Sequence, residues 1–270
     1  MLSMGKNHPI GIFDSGVGGL TVVKALMDQM PEESFIYFGD TAHVPYGSKE
    51  ESQLMGYARD IIAFLLNKGV KAIVVACGTH SSTTLPVIKG DYDLPILGVL
   101  KAGARTAARV TRNGKIGVIA TMNTTKRLAY TREIQNINAQ YDVFEVGCPR
   151  LVPLVEAGKM ESEEARAAVA EYLQPLLDKG IDSLVLGCTH YPFLASVIQE
   201  YAGPGVKLAD PSCETIEDLK MIFAEQGLFH DQTEPPLRRF YVNGNDESFY
   251  HVGRLLIGNT IDYVNKVSLD

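Results

Sequence analysis

The sequence predicts an α/β protein made of two similar α/β domains, each a mainly parallel sheet flanked by helices, with the active site in the cleft between them. Three observations predict it. Short apolar runs of strand character alternate with segments whose apolar residues recur at helical spacing, the pattern of parallel sheets with helical crossovers. A unit of strand, helix and cysteine-bearing strand occurs twice, reaching AIVVACGTHSS in the first half and SLVLGCTHYP in the second. A chain of 270 residues with 46% hydrophobic content is long enough for two domains of ordinary size. The expected boundaries give a discontinuous first domain, residues 1–99 plus 211–270, and a second over 100–210, the tail packing back on the first.

In chain order, IGIF is the first strand, followed by a glycine-rich turn and a helix over Leu20–Met30. SFIYFG and KAIVVA are strands separated by a helix over Ser48–Lys68. PILGVL closes the first unit as a strand. The second unit opens with a helix over Lys101–Val110, then KIGVIA, a helix over Thr124–Ile134, DVFEVG, and a helix over Glu161–Asp178. Glu161, Glu163 and Glu164 suit the first turn of that helix because acidic residues favour the positive end of its dipole. SLVLG and VKLAD follow as strands, and the tail adds a helix over Ile216–Gln226 and the strand RRFYVNG.

Composition excludes several classes. The net charge is −7 and Lys and Arg are scattered, so there is no electrostatic footprint for nucleic acid, and an anionic substrate needs local donors. The opening MLSMGKNHPI lacks the apolar core of a signal peptide, and no apolar run approaches the ~20 residues that span a bilayer, so the expected setting is the cytoplasm and not a membrane. Four cysteines with no C-x-x-C spacing fit a reducing compartment and do not make structural zinc; Cys148 and Cys213 read as structural. No His/Cys/Asp spacing resembles a closed metal site and no pyridoxal or flavin motif is present, so neither metal nor cofactor is expected.

Cys77 and Cys188 carry the chemistry. Each lies at the end of a strand before a turn into a helix, where α/β proteins place active-site groups and where helix-start amides favour a thiolate. A buried cysteine is also an ordinary small hydrophobe. The polar neighbours Gly78-Thr79-His80 and Thr189-His190-Tyr191 favour a site over packing. Inverting a tetrahedral carbon requires an acid/base on each face, and thiols of pKa about 8.5 suit the task, since a modest shift leaves one as thiolate and the other protonated. A carboxylate beside a thiol raises its pKa and a protonated His lowers it, so Asp14 and Glu156 read as relays or orienting groups.

The opening IGIFDSGVGGLTVV admits two readings. Gly16, Gly18 and the later Asp40 imitate a dinucleotide fingerprint, but Thr21 holds the third glycine position and Asp14 would face a pyrophosphate with negative charge. The alternative puts Asp14 and Ser15 into the cleft, with glycines allowing close backbone approach and Asp14 binding a substrate ammonium or assisting a thiol. Tyr46 is readable as a turn aromatic and His190 as a core-edge hydrogen bonder; His43 reads as a loop residue.

IGIFDSGVGGLTV, YFGDTAHVPYGSK, VVACGTHSS, LVPLVEAG and LVLGCTHYPFL, in this order between about Ile10 and Glu214, resemble the glutamate racemases, cofactor-independent enzymes of the aspartate/glutamate racemase superfamily. The resemblance implies that Cys77 and Cys188 are the catalytic acid/bases. It implies a substrate shell of Asp14, Ser15, Tyr46, Gly47, Gly78, Thr79, Thr189 and His190, with Asp14, Glu156 and His190 assisting. It also implies L- and D-glutamate as substrates, D-glutamate for peptidoglycan and cell shape, and a homodimer without nucleic acid or membrane partners. Two departures stand out. Gly78 replaces a common Asn and offers only its N–H and space, which His80, itself in place of a small residue, would partly fill. Val99-Leu100-Lys101-Ala102 stands where the family often has an acidic residue and a proline. Three alternatives stay open: a related racemase acting on aspartate or another amino acid, a non-catalytic amino-acid-binding protein, and a cysteine hydrolase using Cys188 and His190. Against the hydrolase, neighbours at a strand end usually point apart.

Overall fold

Ten strands form two wholly parallel sheets among the described residues, which in this computed structural model are 5–231 and 234–269. The strands are β1 (Ile10–Asp14), β2 (Phe35–Gly39), β3 (Ala72–Val75), β4 (Ile96–Gly98), β5 (Lys115–Ala120), β6 (Asp142–Gly147), β7 (Ser183–Leu186), β8 (Lys207–Ala209), β9 (Arg238–Val242) and β10 (Val264–Lys266). One sheet has the order β10-β9-β2-β1-β3-β4, the other β6-β5-β7-β8. β1, β2, β3 and β7 are buried along their whole length, which is why they read as unbroken apolar runs: a parallel sheet is covered on both faces.

Register aligns the chemistry. Asp14 pairs with Gly39 and Phe13 with Val75, so Asp14, Asp40 and Cys77 leave the larger sheet at one edge. In the smaller sheet Ala120 pairs with Gly147 and Ile119 with Leu186, which sends Thr121, Cys148 and Cys188 out together. These are the carboxyl ends of the strands, where open parallel sheets bind ligands. The largest apolar cluster draws on both sheets, including Ile12, Leu26 and Phe240 with Leu151, Val155, Leu184 and Tyr191.

Several elements differ from expectation. PILGVL stops being strand at Gly98, because the Val99 N–H donates to Ser81 Oγ and a helix begins there, Val99–Val110. The helix expected over Thr124–Ile134 is broken at Leu128, which takes a left-handed φ of 49°, into Met122–Lys126 and Ala129–Ile137. The helix expected from Ser48 starts at Glu51, after a 3₁₀ turn over Tyr46–Ser48. Helices at Gly78–Thr83, Leu85–Ile88, Leu151–Glu156, Ala195–Ala202 and Asp246–Ile257, and the strand β10, are additional. Most are too short to develop a helical period.

At the opposite edge of the larger sheet, Lys71 is fully buried at the start of β3. Its Nζ lies 2.6 Å from Glu33 Oε2 and donates to the Leu228 carbonyl at 2.9 Å and to that of Lys6. Glu33 Oε1 accepts the His230 N–H at 2.9 Å. The pair thus pins the segment by which the chain returns from the smaller sheet toward β9. Removing one partner of a buried pair leaves an uncompensated charge and costs about 3–5 kcal/mol. Lys71→Met is therefore expected to lower the thermal midpoint by roughly 10 °C, read by far-UV circular dichroism; an unchanged midpoint would show the pair contributes nothing net.

Candidate active site

β1 delivers Asp14 fully buried, and local donors surround its carboxylate: the Gly16 N–H reaches Oδ2 at 3.1 Å and the Thr189 hydroxyl reaches Oδ1 at 3.0 Å. Burial raises the Asp14 carboxyl above its usual range, opposed by the charge of His190 and by these hydrogen bonds. Two residues past β3, Cys77 caps helix Gly78–Thr83 and is 4% exposed. Burial and then the Asp14 carboxylate push its thiol well up, and the amides of His80 and Thr79 only partly offset them. The expectation that helix-start amides favour a thiolate is therefore outweighed at Cys77 by desolvation.

Cys188, 6% exposed, follows β7 and has different company. His190 Nδ1 lies 3.7 Å from its sulfur, and His190 Nε2 lies 2.6 Å from Glu156 Oε1. Glu156 ends helix Leu151–Glu156 and also accepts the Val17 N–H at 3.0 Å. Burial of His190 works against its charge, but the contacts with Cys188 and Glu156 prevail, so its pKa is raised well above the ordinary value and it holds an imidazolium. The expected splaying of Cys188 and His190 fails because the strand has ended at Leu186, and the turn through Gly187 sets both side chains on one side.

Other expected residues gather here. Tyr46 is buried with Cys77 and Leu54, its ring edge-on to His80 at 4.7 Å, and its hydroxyl donates to Asp40. Asp40 also meets His43 Nδ1 at 2.7 Å and accepts from Asn243, so the acid that imitated a dinucleotide fingerprint instead ties down the loop carrying Tyr46. Gly47 lies against Thr121, and Ser15 is 5% exposed beside Asp14. Thr79 Oγ1 and Thr121 Oγ1 are 2.9 Å apart, linking the two strand ends. At Gly18 a Cβ would collide with His190 and Thr189, so the glycine-rich turn permits backbone to seat against the Cys188 side.

Two departures prove different from expectation. Gly78 does not leave space: a Cβ there would fall on the Gly187 carbonyl oxygen, closer than real Cβ contacts come. Hence His80 fills nothing beside a substrate. It is fully buried, with Nδ1 3.0 Å from Thr84 Oγ1, its ring edge-on to Phe13, and a pKa pushed down to about 3 by burial. Lys101 lines a cavity of about 360 Å³ with Leu97 and Asp218 that includes neither thiol. Cys148 is buried with Sγ 3.5 Å from the Val146 carbonyl, whereas Cys213 is exposed on helix Ser212–Gln226.

Sequence reasoning passed over Thr121 and Asn123. Asn123 donates from Nδ2 to the carbonyls of Tyr46 and Lys49, both at 2.9 Å, gripping the Tyr46 loop from the smaller sheet. The signal was present, since KIGVIA runs into Thr-Met-Asn-Thr as the cysteine strands run into small polar residues. Among the described residues no group of three or more His, Cys, Asp and Glu side chains is placed to hold a metal ion.

A family model described as Asp/Glu/Hydantoin racemase matches residues 21–218. The chain is 44% identical over 270 residues to a glutamate racemase of Neisseria meningitidis, covering 100% of both. In structure it is similar to a glutamate racemase isoform from Bacillus anthracis, with a TM-score of 0.93, 36% identity and 98% of each chain covered. It is also similar to the glutamate racemase of Francisella tularensis in complex with D-glutamate, with a TM-score of 0.90, 36% identity, and 98% and 99% of the two chains covered.

Proposed function

The chain belongs to the Asp/Glu/hydantoin racemase family, and from that premise we propose that it interconverts L- and D-glutamate without a cofactor, Cys77 and Cys188 exchanging the Cα proton across opposite faces. The observation that carries this reading is the pair of buried thiols, one from each sheet, in a cluster laced together by Thr189 on Asp14, Val17 on Glu156 and Thr79 on Thr121. A thiolate on one face takes the proton while a thiol on the other returns one.

The two faces differ in how they are charged. Beside Cys188, the His190 imidazolium favours a thiolate. Beside Cys77, burial and Asp14 keep the proton on sulfur. The resting enzyme is thus ready for the enantiomer whose Cα–H faces Cys188, which the family resemblance assigns to L-glutamate. For D-glutamate, Cys77 must first lose its proton, and Asp14, itself raised above the usual carboxyl range, is placed to relay it. The hydroxyls of Ser15, Thr79, Thr121 and Thr189 and the N–H of Gly78 are donors for the substrate carboxylates and for charge developing at Cα.

The same reading divides the chain into residues 1–99 with 211–270 and residues 100–210, supported by β1–β4, β9 and β10 sharing one sheet and β5–β8 the other. It takes the enzyme to be a cytoplasmic homodimer supplying D-glutamate for peptidoglycan, as the family resemblance implies. Chain chemistry and relatives agree on the substrate, since the Francisella enzyme is solved with D-glutamate.

The test is circular dichroism of L-glutamate with purified protein dialysed against a chelator and free of pyridoxal phosphate. The substrate signal should decay to zero at an unchanged rate, with aspartate turned over far more slowly. In deuterated water the product should carry deuterium at Cα while the remaining substrate initially carries little. Activity that returns only with added metal or pyridoxal phosphate, or equal early labelling of both enantiomers, would remove the two-thiol reading.

A further inference from the structure

Gly78 and Gly187 touch backbone to backbone where the two thiol-bearing segments meet. A Cβ on Gly78 would overlap the Gly187 carbonyl oxygen, with the Gly187 carbonyl carbon at 3.5 Å and Cys188 Cα at 3.8 Å behind it. All three are main-chain atoms, so no rotamer change relieves the overlap. Neither side can retreat cheaply. The Gly187 N–H donates to the Ile119 carbonyl at 2.8 Å, and a Cβ at Gly187 would meet that carbonyl and the Tyr130 ring at 2.8 Å and Ala120 Cβ at 3.0 Å. Opposite, the Ser81 N–H holds the Cys77 carbonyl at 2.8 Å and Ser81 Oγ donates to the Val75 carbonyl at 3.0 Å, fastening helix Gly78–Thr83 to β3.

We propose that Gly78 sets the working separation of Cys77 and Cys188: only a residue without a side chain lets the two segments close to this contact. Gly78 is bonded to Cys77 and Gly187 to Cys188, so any displacement at the contact is passed to both thiols. Proton transfer across two faces of one carbon tolerates little of it, and a misplacement of about 1 Å costs roughly 10²-fold. Gly78 is in the first turn of a right-handed helix, where alanine is a better former than glycine, so the cost of a side chain falls on closure and not on local folding. Gly78 is a positioning residue, and the inference rests on the two-thiol reading above.

The discriminating substrate is glutamate bearing chloride on its β-carbon. A single thiolate takes the Cα proton, the freed electron pair forms the Cα=Cβ bond as chloride leaves, and the enamine tautomerises and is hydrolysed by water to 2-oxoglutarate and ammonium. One thiol suffices for this elimination, whereas inversion needs both. Gly78→Ala is expected to lower kcat for racemisation about 10²-fold in both directions with KM little changed, while elimination from each enantiomer stays close to that of the parent. Gly78→Ser should behave likewise. Parental racemisation in Gly78→Ala overturns the proposal, and so does an equal fall of racemisation and elimination with an unaltered thermal melt. Loss of a cooperative melt in both variants also overturns it, since a side chain that only limits closure leaves the fold intact. If instead the Cys77→Ser and Cys188→Ser variants racemise at the parental rate, the two-thiol reading fails independently of Gly78.

Discussion

Replacing either Cys77 or Cys188 by serine is expected to lower racemisation by roughly 10³-fold or more, since general acid and base contributions run to 10²–10⁴ each. The substitution nearly conserves shape, and both thiols sit in tightly packed surroundings, so the melting temperature should change little. What changes is acidity. A thiol of pKa about 8.5 lies within reach of the shifts that neighbours impose, whereas a serine hydroxyl is far too weak an acid to be ionised near neutral pH. His190 can stabilise a thiolate at Cys188 but not produce an alkoxide there. Each serine variant keeps one competent face. With β-chloroglutamate, Cys77→Ser should eliminate chloride only from the enantiomer whose Cα–H meets Cys188, and Cys188→Ser only from the other. Elimination from both enantiomers by one single variant would mean that the thiols do not face opposite sides of Cα.

The strand ends were legible because a covered parallel sheet imposes an unmistakable pattern. IGIF, KAIVVA and SLVLG are apolar without interruption, so the point where each gives way to Asp14, Cys77 or Cys188 is visible as a change in residue type. Short helices were not legible. Gly78–Thr83 is a run of small polar residues with no apolar period, and it is helical because Cys77 caps it and Ser81 ties it to β3. Orientation was also hidden. That His190 turns toward Cys188 depends on where β7 stops, and the occupied space beside Gly78 depends on a carbonyl from the other sheet. Such facts arise from the meeting of distant segments, and no local pattern encodes them.

The last expected result concerns His190, whose effect should be symmetric in one measurement and one-sided in another. Enantiomers have equal free energy in water, so kcat/KM for L→D must equal kcat/KM for D→L in the parent and in every variant. His190→Asn removes the imidazolium beside Cys188 and the partner of Glu156, and should lower both values equally, by about 10²-fold. Elimination separates the faces: it should fall only for the enantiomer served by Cys188, because Cys77 works with Asp14 and has no contact with His190 of comparable kind. Glu156→Gln provides the pH signature. Burial opposes charge on His190, and Cys188 and Glu156 together overcome it. The cation is present below that raised pKa and is lost as pH rises through it. Without the Glu156 charge the raised pKa falls, so the alkaline limb of elimination at the Cys188 face should move to lower pH, while the profile at the Cys77 face stays in place. An unmoved limb, or one that moves for both enantiomers, would separate Glu156 from the work of Cys188.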